Sequence, residues 1–91
     1  MEFDWDPVKA RANLAKHGVS FEAARRIFDD PLAIERFDYS EDYGENRFII
    51  VGIVQDLLLS IVYVERKQVV RLISARRASR KEQDDYFRKR S

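Results

Sequence analysis

Cysteine is absent from this chain of 91 residues, and histidine occurs once, as His17. Without thiols the chain cannot form a disulfide bond or a thiolate metal site, and a single histidine excludes a zinc site built from several histidines. Long apolar runs are also missing, because the longest, residues 48–54, contains Gly52 and is far too short to cross a bilayer. The first four residues lack the basic start of a signal peptide, so we expect a cytoplasmic protein with no membrane partner.

The length of the chain predicts a single domain over residues 1–91, with a modest core and a small free energy of unfolding. Its net charge is only +1, yet residues 1–46 carry 6 basic and 11 acidic side chains, whereas residues 47–91 carry 11 basic and 5 acidic ones. A basic C-terminal half is typical of proteins that bind a polyanion or an acidic protein. A solvated terminal helix rich in arginine is the structural alternative.

The first helix has clear start and stop signals. Asp6 can cap its N-terminus, Pro7 suits its first position and Gly18 suits the left-handed residue after its end, so we predict a helix over residues 7–17. At about 100° per residue, one stripe of this helix collects four polar side chains: Lys9, Asn13, Lys16 and His17. We expect Lys9 and Asn13 to tie the helix to the sheet, with Asn13 bonding buried backbone groups.

A second helix is predicted from Ser20, a good N-cap, to Asp29, because Pro31 blocks its extension. Four β-strands with hairpin-length connections follow, over residues 33–38, 47–54, 57–64 and 69–75. In the middle two strands both alternating faces are apolar, so both faces of the sheet must be covered. The expected fold class is therefore α+β, with two N-terminal helices on a mainly antiparallel four-stranded sheet and a C-terminal helix.

The two ends of the chain are less strongly specified. Residues 3–5 suit either a short edge strand or two aromatic side chains packed under the first helix. Ser79 and Glu82 form a capping box that starts a C-terminal helix. Because residues 80–91 offer only Tyr86 and Phe87 as apolar anchors, we expect this helix to dock weakly.

Three motifs together resemble one known family. They are Trp5-Asp6 followed by the polar stripe and Gly18, then Gly44-Glu45-Asn46-Arg47, and finally Arg71-Leu72-Ile73-Ser74-Ala75-Arg76-Arg77-Ala78. In this order they resemble the BrnT toxins of type II toxin–antitoxin systems, over nearly the whole chain. The turn Arg66-Lys67-Gln68 departs from the family by lacking the glycine often found there.

The resemblance implies a RelE-like fold and a small ribonuclease that is neutralised by a co-encoded, BrnA-like antitoxin. It further implies that the antitoxin carries a ribbon-helix-helix domain, through which the toxin reaches operator DNA as a co-repressor. RNA is then the substrate, the antitoxin is the protein partner, and no cofactor is expected.

Cleavage of RNA without a metal needs a base for the 2′-hydroxyl proton, cations for the transition state and an acid for the leaving oxygen. With one histidine, other residue types must fill at least one of these roles. Arg47 and Arg76 are the candidates for phosphate stabilisation, because each lies at a strand end inside a family-like motif and a guanidinium holds two oxygens. Surface ion pairing, for Arg47 with Glu45, is the structural alternative.

His17 can act as a general acid, a base or a phosphate ligand, and its structural alternative is to cap the C-terminus of the first helix. Glu65 is the candidate base, and solvation of a turn is its structural alternative. The predicted RNA-binding residues are Lys16, Arg66, Arg71 and Arg77. If the last strand extends far enough, Arg77 points to the opposite face from Arg76.

The leading hypothesis is a metal-independent endoribonuclease toxin that inhibits translation and growth until its antitoxin binds. A non-catalytic module that seats an acidic partner and acts as co-repressor in a DNA-binding complex is the alternative. A metal-dependent nuclease using Asp29, Asp30 or Asp38 ranks last, because these residues suit a turn and have no recognisable magnesium spacing.

Overall fold

In the computed structural model, which describes residues 1–39 and 44–89, five strands form one mixed sheet. The strands are β1 (Glu2–Asp4), β2 (Ile34–Phe37), β3 (Arg47–Val54), β4 (Leu57–Arg66) and β5 (Val69–Arg77). The helices are α1 (Pro7–His17), α2 (Phe21–Ala24) with a 3-10 helix at Arg25–Asp29, and α3 (Arg80–Arg88). The strand order is β1-β5-β4-β3-β2, and only β1 runs parallel to its neighbour. Within the described ranges, no helix has the length and apolarity needed to cross a bilayer.

The predicted caps of the N-terminal helices are confirmed. The Asp6 carboxylate accepts a hydrogen bond from the Val8 N–H at 2.9 Å, and Gly18 ends α1 with φ of 70°. Ser20 caps α2 by accepting from the Ala23 N–H at 3.1 Å. The expected continuous helix to Asp29 is instead one α-turn followed by the 3-10 helix, a tighter winding that is common where helices end.

The sheet has one strand more than the sequence predicts. Residues 2–4 pair with Val69–Arg71 to form the parallel edge strand β1, and Trp5 packs against Phe21 with ring centroids 5.9 Å apart. The two alternatives for this segment therefore occur together. The turn without glycine is a two-residue connection in which Lys67 and Gln68 both adopt left-handed φ, of 50° and 68°, as a type I′ hairpin requires.

A β-bulge in β5 controls which side chains share a face of the sheet. Tyr63 pairs with Leu72, whereas the preceding residue of β4, Val62, pairs with Ser74, so Ile73 is the extra residue in β5. Arg71 and Arg76 are five residues apart, so an unbulged strand with strict alternation would place them on opposite faces. With the bulge, both lie on the same face, since Arg71 pairs with Val64 and Arg76 with Ser60.

The backbone just after the bulge is held by a side chain of α1. The Asn13 amide donates to the carbonyl oxygens of Ala75 and Val19, at 2.8 and 3.0 Å. Its own oxygen accepts from the Ala75 N–H at 3.1 Å. Asn13 thus takes the place of a neighbouring strand where β1 has ended, which confirms the predicted role for this residue.

The first face of the sheet carries the main core, under α1, α2 and the 3-10 helix. Gly52 lies on this face where the 3-10 helix crosses β3. A Cβ atom there would lie 2.9 Å from Ile27 Cγ1, 3.0 Å from Asp30 Oδ2 and 3.1 Å from Ala33 Cβ. Only glycine leaves room for this approach.

The second face carries α3, which docks more firmly than its two aromatic residues predict. Tyr86 is 1% exposed and packs with Ile49 and Val51, while Phe87 is half-exposed. The Tyr86 hydroxyl donates to Asp30 Oδ2 at 2.7 Å. Glu82 is buried as well and accepts from the Ser60 hydroxyl at 3.0 Å. This helix is therefore held in part by side-chain hydrogen bonds, which the spacing of its apolar residues does not predict.

Replacing Asn13 by alanine should cost about 2–4 kcal/mol of unfolding free energy, because three buried backbone groups lose their partner. Arg11→Ala, an exposed change on the same helix, should stay within about 0.5 kcal/mol of the wild type. Urea denaturation followed by circular dichroism measures both. Equal stability of the Asn13→Ala variant and the wild type would contradict this role.

Acid should destabilise the wild type more than a Glu82→Gln variant. Burial raises the pKa of Glu82, but hydrogen bonds from Arg76, the Ser79 N–H and Ser60 outweigh it, so the pKa is lowered on folding. The ionised form then stabilises the fold above its ordinary pKa of 4.5, and this contribution disappears as the pH falls through the folded pKa. Denaturation between pH 6 and pH 3 should show a flatter pH dependence for Glu82→Gln, whereas Asp84→Asn on the same helix should follow the wild type.

Candidate nucleic-acid interface

Five of the arginines in the strands project from the face of the sheet that α3 partly covers. Residues paired across antiparallel strands share a face, and alternate residues along a strand do too. Arg47 pairs with Val64, which pairs with Arg71 on its other side. Arg36 pairs with Ile49, two residues beyond Arg47. We call this surface the arginine face, and its members are Arg36, Arg47, Arg66, Arg71 and Arg76.

Glu45, in the bend before β3, joins two arginines of this face. Its Oε1 accepts from Arg66 Nη2 at 2.7 Å, and its Oε2 accepts from Arg47 Nη2 and Nε at 3.2 and 3.3 Å. The hydrogen bond from Arg66, assisted by that from Arg47, holds the pKa of Glu45 below its usual value. The ion pair expected as the alternative role of Arg47 is therefore present.

Glu82 joins two more arginines at the other end of the face. Its side chain, only 8% exposed, accepts from Arg76 at 2.9 and 3.2 Å. Arg36 Nη2 lies 3.7 Å from Glu82 Oε2. Glu82 Oε1 also accepts from the Ser79 N–H at 2.8 Å, which completes the predicted capping box. Arg76 is thus fixed in direction, while 42% of its side chain remains exposed.

A cleft between α1 and β5 collects the polar stripe that the sequence predicts. It has a volume of about 290 Å³ and is lined by Lys9, Ala12, Asn13, Lys16, His17, Ile73 and Ser74. No carboxylate is among these residues, and within residues 1–39 and 44–89 neither lysine forms an ion pair. The Gly18 N–H caps α1 by donating to the Leu14 carbonyl at 2.8 Å, so capping does not require the His17 imidazole.

The cleft and the arginine face meet along β5. Ser74 lines the cleft, and its pairing with Val62 places it in the same row of the sheet as Ile49, on the side of the arginine face. Arg71 and Arg76 flank Ser74 on this side of β5. A phosphate chain that follows the strand would therefore meet both groups of cations.

Two of the predicted site residues lie on the other side of the sheet. Glu65 alternates with Arg66 and acts electrostatically on Tyr63, whose pKa is raised by burial and by a hydrogen bond to Glu35. Arg77 pairs with Leu59 on the same side. The structure therefore brings Arg47, Arg66, Arg71 and Arg76 together and leaves Glu65 and Arg77 apart from them. The expected opposition of Arg76 and Arg77 is confirmed.

Two of the three aspartates considered as metal ligands have structural contacts. Asp30 accepts from the N–H groups of Leu32 and Ile53 at 2.9 and 2.8 Å, besides the Tyr86 hydroxyl. Asp38 donates its backbone N–H to the Arg47 carbonyl at 2.8 Å. In the part of the chain that is described, no three His, Asp or Glu side chains are grouped closely enough to hold a metal ion.

Arg36 and the sharing of carboxylates between arginines were not predicted from the sequence. Strand alternation could have identified Arg36, because it lies two residues after Ile34 and so projects from the same face of β2. Glu82 was recognised as a helix cap, but its contact with Arg76 depends on the bulge, which leaves no clear mark in the sequence.

A family model described as the ribonuclease toxin BrnT of type II toxin–antitoxin systems matches residues 5–82. No curated protein matches the chain. The matched range contains α1 with its polar stripe, all five members of the arginine face, and Glu82 at its end. The chain therefore belongs to the BrnT family of ribonuclease toxins of type II toxin–antitoxin systems.

Proposed function

We propose that this toxin is an endoribonuclease that cleaves RNA without a metal ion and thereby inhibits translation and growth until an antitoxin neutralises it. The observation that carries the proposal is the meeting of the arginine face with the cleft that contains His17, along β5. Guanidinium groups suit the phosphates of the substrate, and an imidazole suits proton transfer near neutral pH. We also propose that the sheet and its helices correspond to a RelE-like fold.

The arginine face would bind the RNA backbone. Arg47, Arg66 and Arg71 lie towards the end of the sheet that α3 leaves open, since the contacts of α3 are with the rows of Ile49 and Val51. Each guanidinium can hold two phosphate oxygens, so a short single strand can be bound without contacts to its bases. Lys16 adds positive charge in the cleft.

The chemistry we propose is attack of a 2′-hydroxyl on the adjacent phosphorus. His17 exchanges one proton, taking it from the attacking hydroxyl or giving it to the departing 5′-oxygen. Arg76 and Arg47 stabilise the negative charge that develops on the phosphate oxygens. Because the chain has one histidine, the second proton transfer needs another residue type, and we propose a lysine of the cleft, where no carboxylate is among the lining residues. The products are a 2′,3′-cyclic phosphate and a 5′-hydroxyl.

The partner we propose is a co-encoded, BrnA-like antitoxin that covers the arginine face. Arginine pairs that already hold carboxylates show how acidic side chains of a partner can be accommodated there. Operator DNA would then be contacted by the antitoxin, with the toxin as co-repressor.

The same ion pairs favour the second candidate function, a non-catalytic module that seats an acidic partner. In this case the arginine face would bind protein carboxylates tightly, and purified toxin would leave RNA intact. Cleavage assays separate the two candidates.

Purified toxin, freed of antitoxin, should cleave end-labelled RNA in excess EDTA and leave 2′,3′-cyclic phosphate and 5′-hydroxyl ends. Arg71→Ala should lower the rate at least about tenfold, because a cation facing the phosphates is lost. Arg77→Ala, the matched change on the opposite side of β5, should lower it by less than about threefold. No cleavage by folded wild type, or cleavage abolished by the chelator, would contradict the proposal.

The role of Arg76 is tested better by lysine than by alanine. Arg76→Ala leaves the buried Glu82 carboxylate without its main partner, so lost activity could follow from lost stability. Arg76→Lys keeps the charge but loses the planar fork, and we expect a rate reduction of about tenfold or more with a nearly unchanged melting temperature. Wild-type activity in Arg76→Lys would show that the guanidinium is not required.

Affinity for RNA should fall steeply with salt. For a single strand the slope of log K against log salt concentration is about −0.7 per neutralised phosphate. Arg71→Ala should make this slope less negative by about 0.7, and Arg77→Ala should leave it unchanged. Fluorescence anisotropy between 50 and 200 mM salt measures both, and identical slopes for the two variants would exclude a phosphate contact at Arg71.

A further inference from the structure

Glu45 and Glu82 each bind two arginines, but their surroundings differ. Glu82 is 8% exposed, lies inside a helix and is bonded to Ser60 and to the backbone of Ser79. Glu45 is 25% exposed, lies outside any helix or strand, and has as its partner Arg66, whose side chain is 72% exposed. Glu82 is therefore held by its own helix and by β4, whereas the Glu45 carboxylate accepts hydrogen bonds from two arginine side chains, Arg47, 19% exposed, and Arg66.

The two guanidiniums at Glu45 bind different oxygens of its carboxylate. Arg66 donates to Oε1, while Arg47 donates to Oε2 through two of its nitrogens. The two non-bridging oxygens of a phosphodiester have a similar spacing and can accept the same set of donors. The carboxylate therefore marks an anion site formed by one strand end of β3 and one of β4.

We infer that the Glu45 carboxylate occupies a phosphodiester-binding site formed by Arg47 and Arg66, and that a backbone phosphate of RNA displaces it. The inference rests on the proposed function for the identity of the ligand. When a phosphate displaces the Glu45 carboxylate, both guanidiniums keep a hydrogen-bond acceptor. The exchange therefore leaves neither arginine buried without an anionic partner. Glu45 then lowers the affinity for RNA by competing with the phosphate.

The competition predicts that removing the charge of Glu45 strengthens RNA binding. Glu45→Gln should bind a fluorescein-labelled, fully 2′-O-methylated ten-nucleotide RNA about threefold to tenfold more tightly than the wild type at 50 mM salt, the range expected for breaking partly exposed ion pairs. Asp56→Asn removes the same charge in an exposed turn, where asparagine tolerates the left-handed φ of 71°. This control should change affinity by less than about twofold.

The same substitution in an Arg66→Ala protein shows whether the gain in RNA affinity depends on the arginines. In Arg66→Ala protein, adding Glu45→Gln should give a gain no larger than that of Asp56→Asn, because one half of the site is gone. Circular dichroism melting confirms that each variant is folded, and Glu45→Ser replaces Glu45→Gln if the latter is not.

Three results would overturn the inference: equal gains for Glu45→Gln and Asp56→Asn, weaker binding by Glu45→Gln, or a full gain in the Arg66→Ala background. The methylated RNA has no free 2′-hydroxyl and cannot be cleaved by the proposed chemistry. A chain without ribonuclease activity would therefore still show the gain, whereas an active ribonuclease with its phosphate site elsewhere would not.

Discussion

The single extra residue in β5 determines which of its arginines lie on the arginine face. Ile73 interrupts alternation between Leu72 and Ser74, so the second half of the strand is turned over relative to the first. This brings Arg76 to the side of Arg71 and leaves Arg77 on the side of the main core. Just beyond the bulge, where β1 no longer borders β5, Asn13 binds the N–H and carbonyl of Ala75. One amide on α1 therefore supports the arrangement of arginines on β5.

Five arginines on one sheet face repel one another, and the carboxylates reduce this repulsion. Two unit charges 4 Å apart interact with about 4 kcal/mol at the effective dielectric of a protein surface. Glu45 and Glu82 each lie between two arginines, and Asp4 on β1 pairs with Arg71 at 3.1 Å. Among the described residues, these ion pairs therefore join five cations to three carboxylates, so the cations outnumber their acidic partners. The surface can be held in place by its own ion pairs and still attract a polyanion.

Local signals in the sequence predicted the features that depend on neighbouring residues. The caps at Asp6, Ser20 and Ser79 and the two hairpins follow from short-range chemistry, and the structure has them. The polar stripe of α1 was found in the same way, because helical spacing alone brings its members together. The parallel strand β1 could not be decided from local signals, because its three residues form a strand by pairing with β5, 67 positions later in the chain.

Assignments that depended on the faces of the sheet needed tertiary information. Glu65 was chosen as a base for its position beside Arg66, but neighbours in a strand point to opposite sides, so Glu65 lies on the face away from Arg66. Glu45 was considered only as a partner of Arg47, because nothing in the sequence indicates that Arg66, 21 residues later, reaches its other oxygen. Adjacency along the chain identified the pair of Glu45 and Arg47, whereas Arg66 reaches the same carboxylate from the neighbouring strand β4. In this fold the second arginine at each shared carboxylate, Arg66 at Glu45 and Arg36 at Glu82, is brought there by the pairing of distant strands, and charge patterning along the sequence cannot identify it.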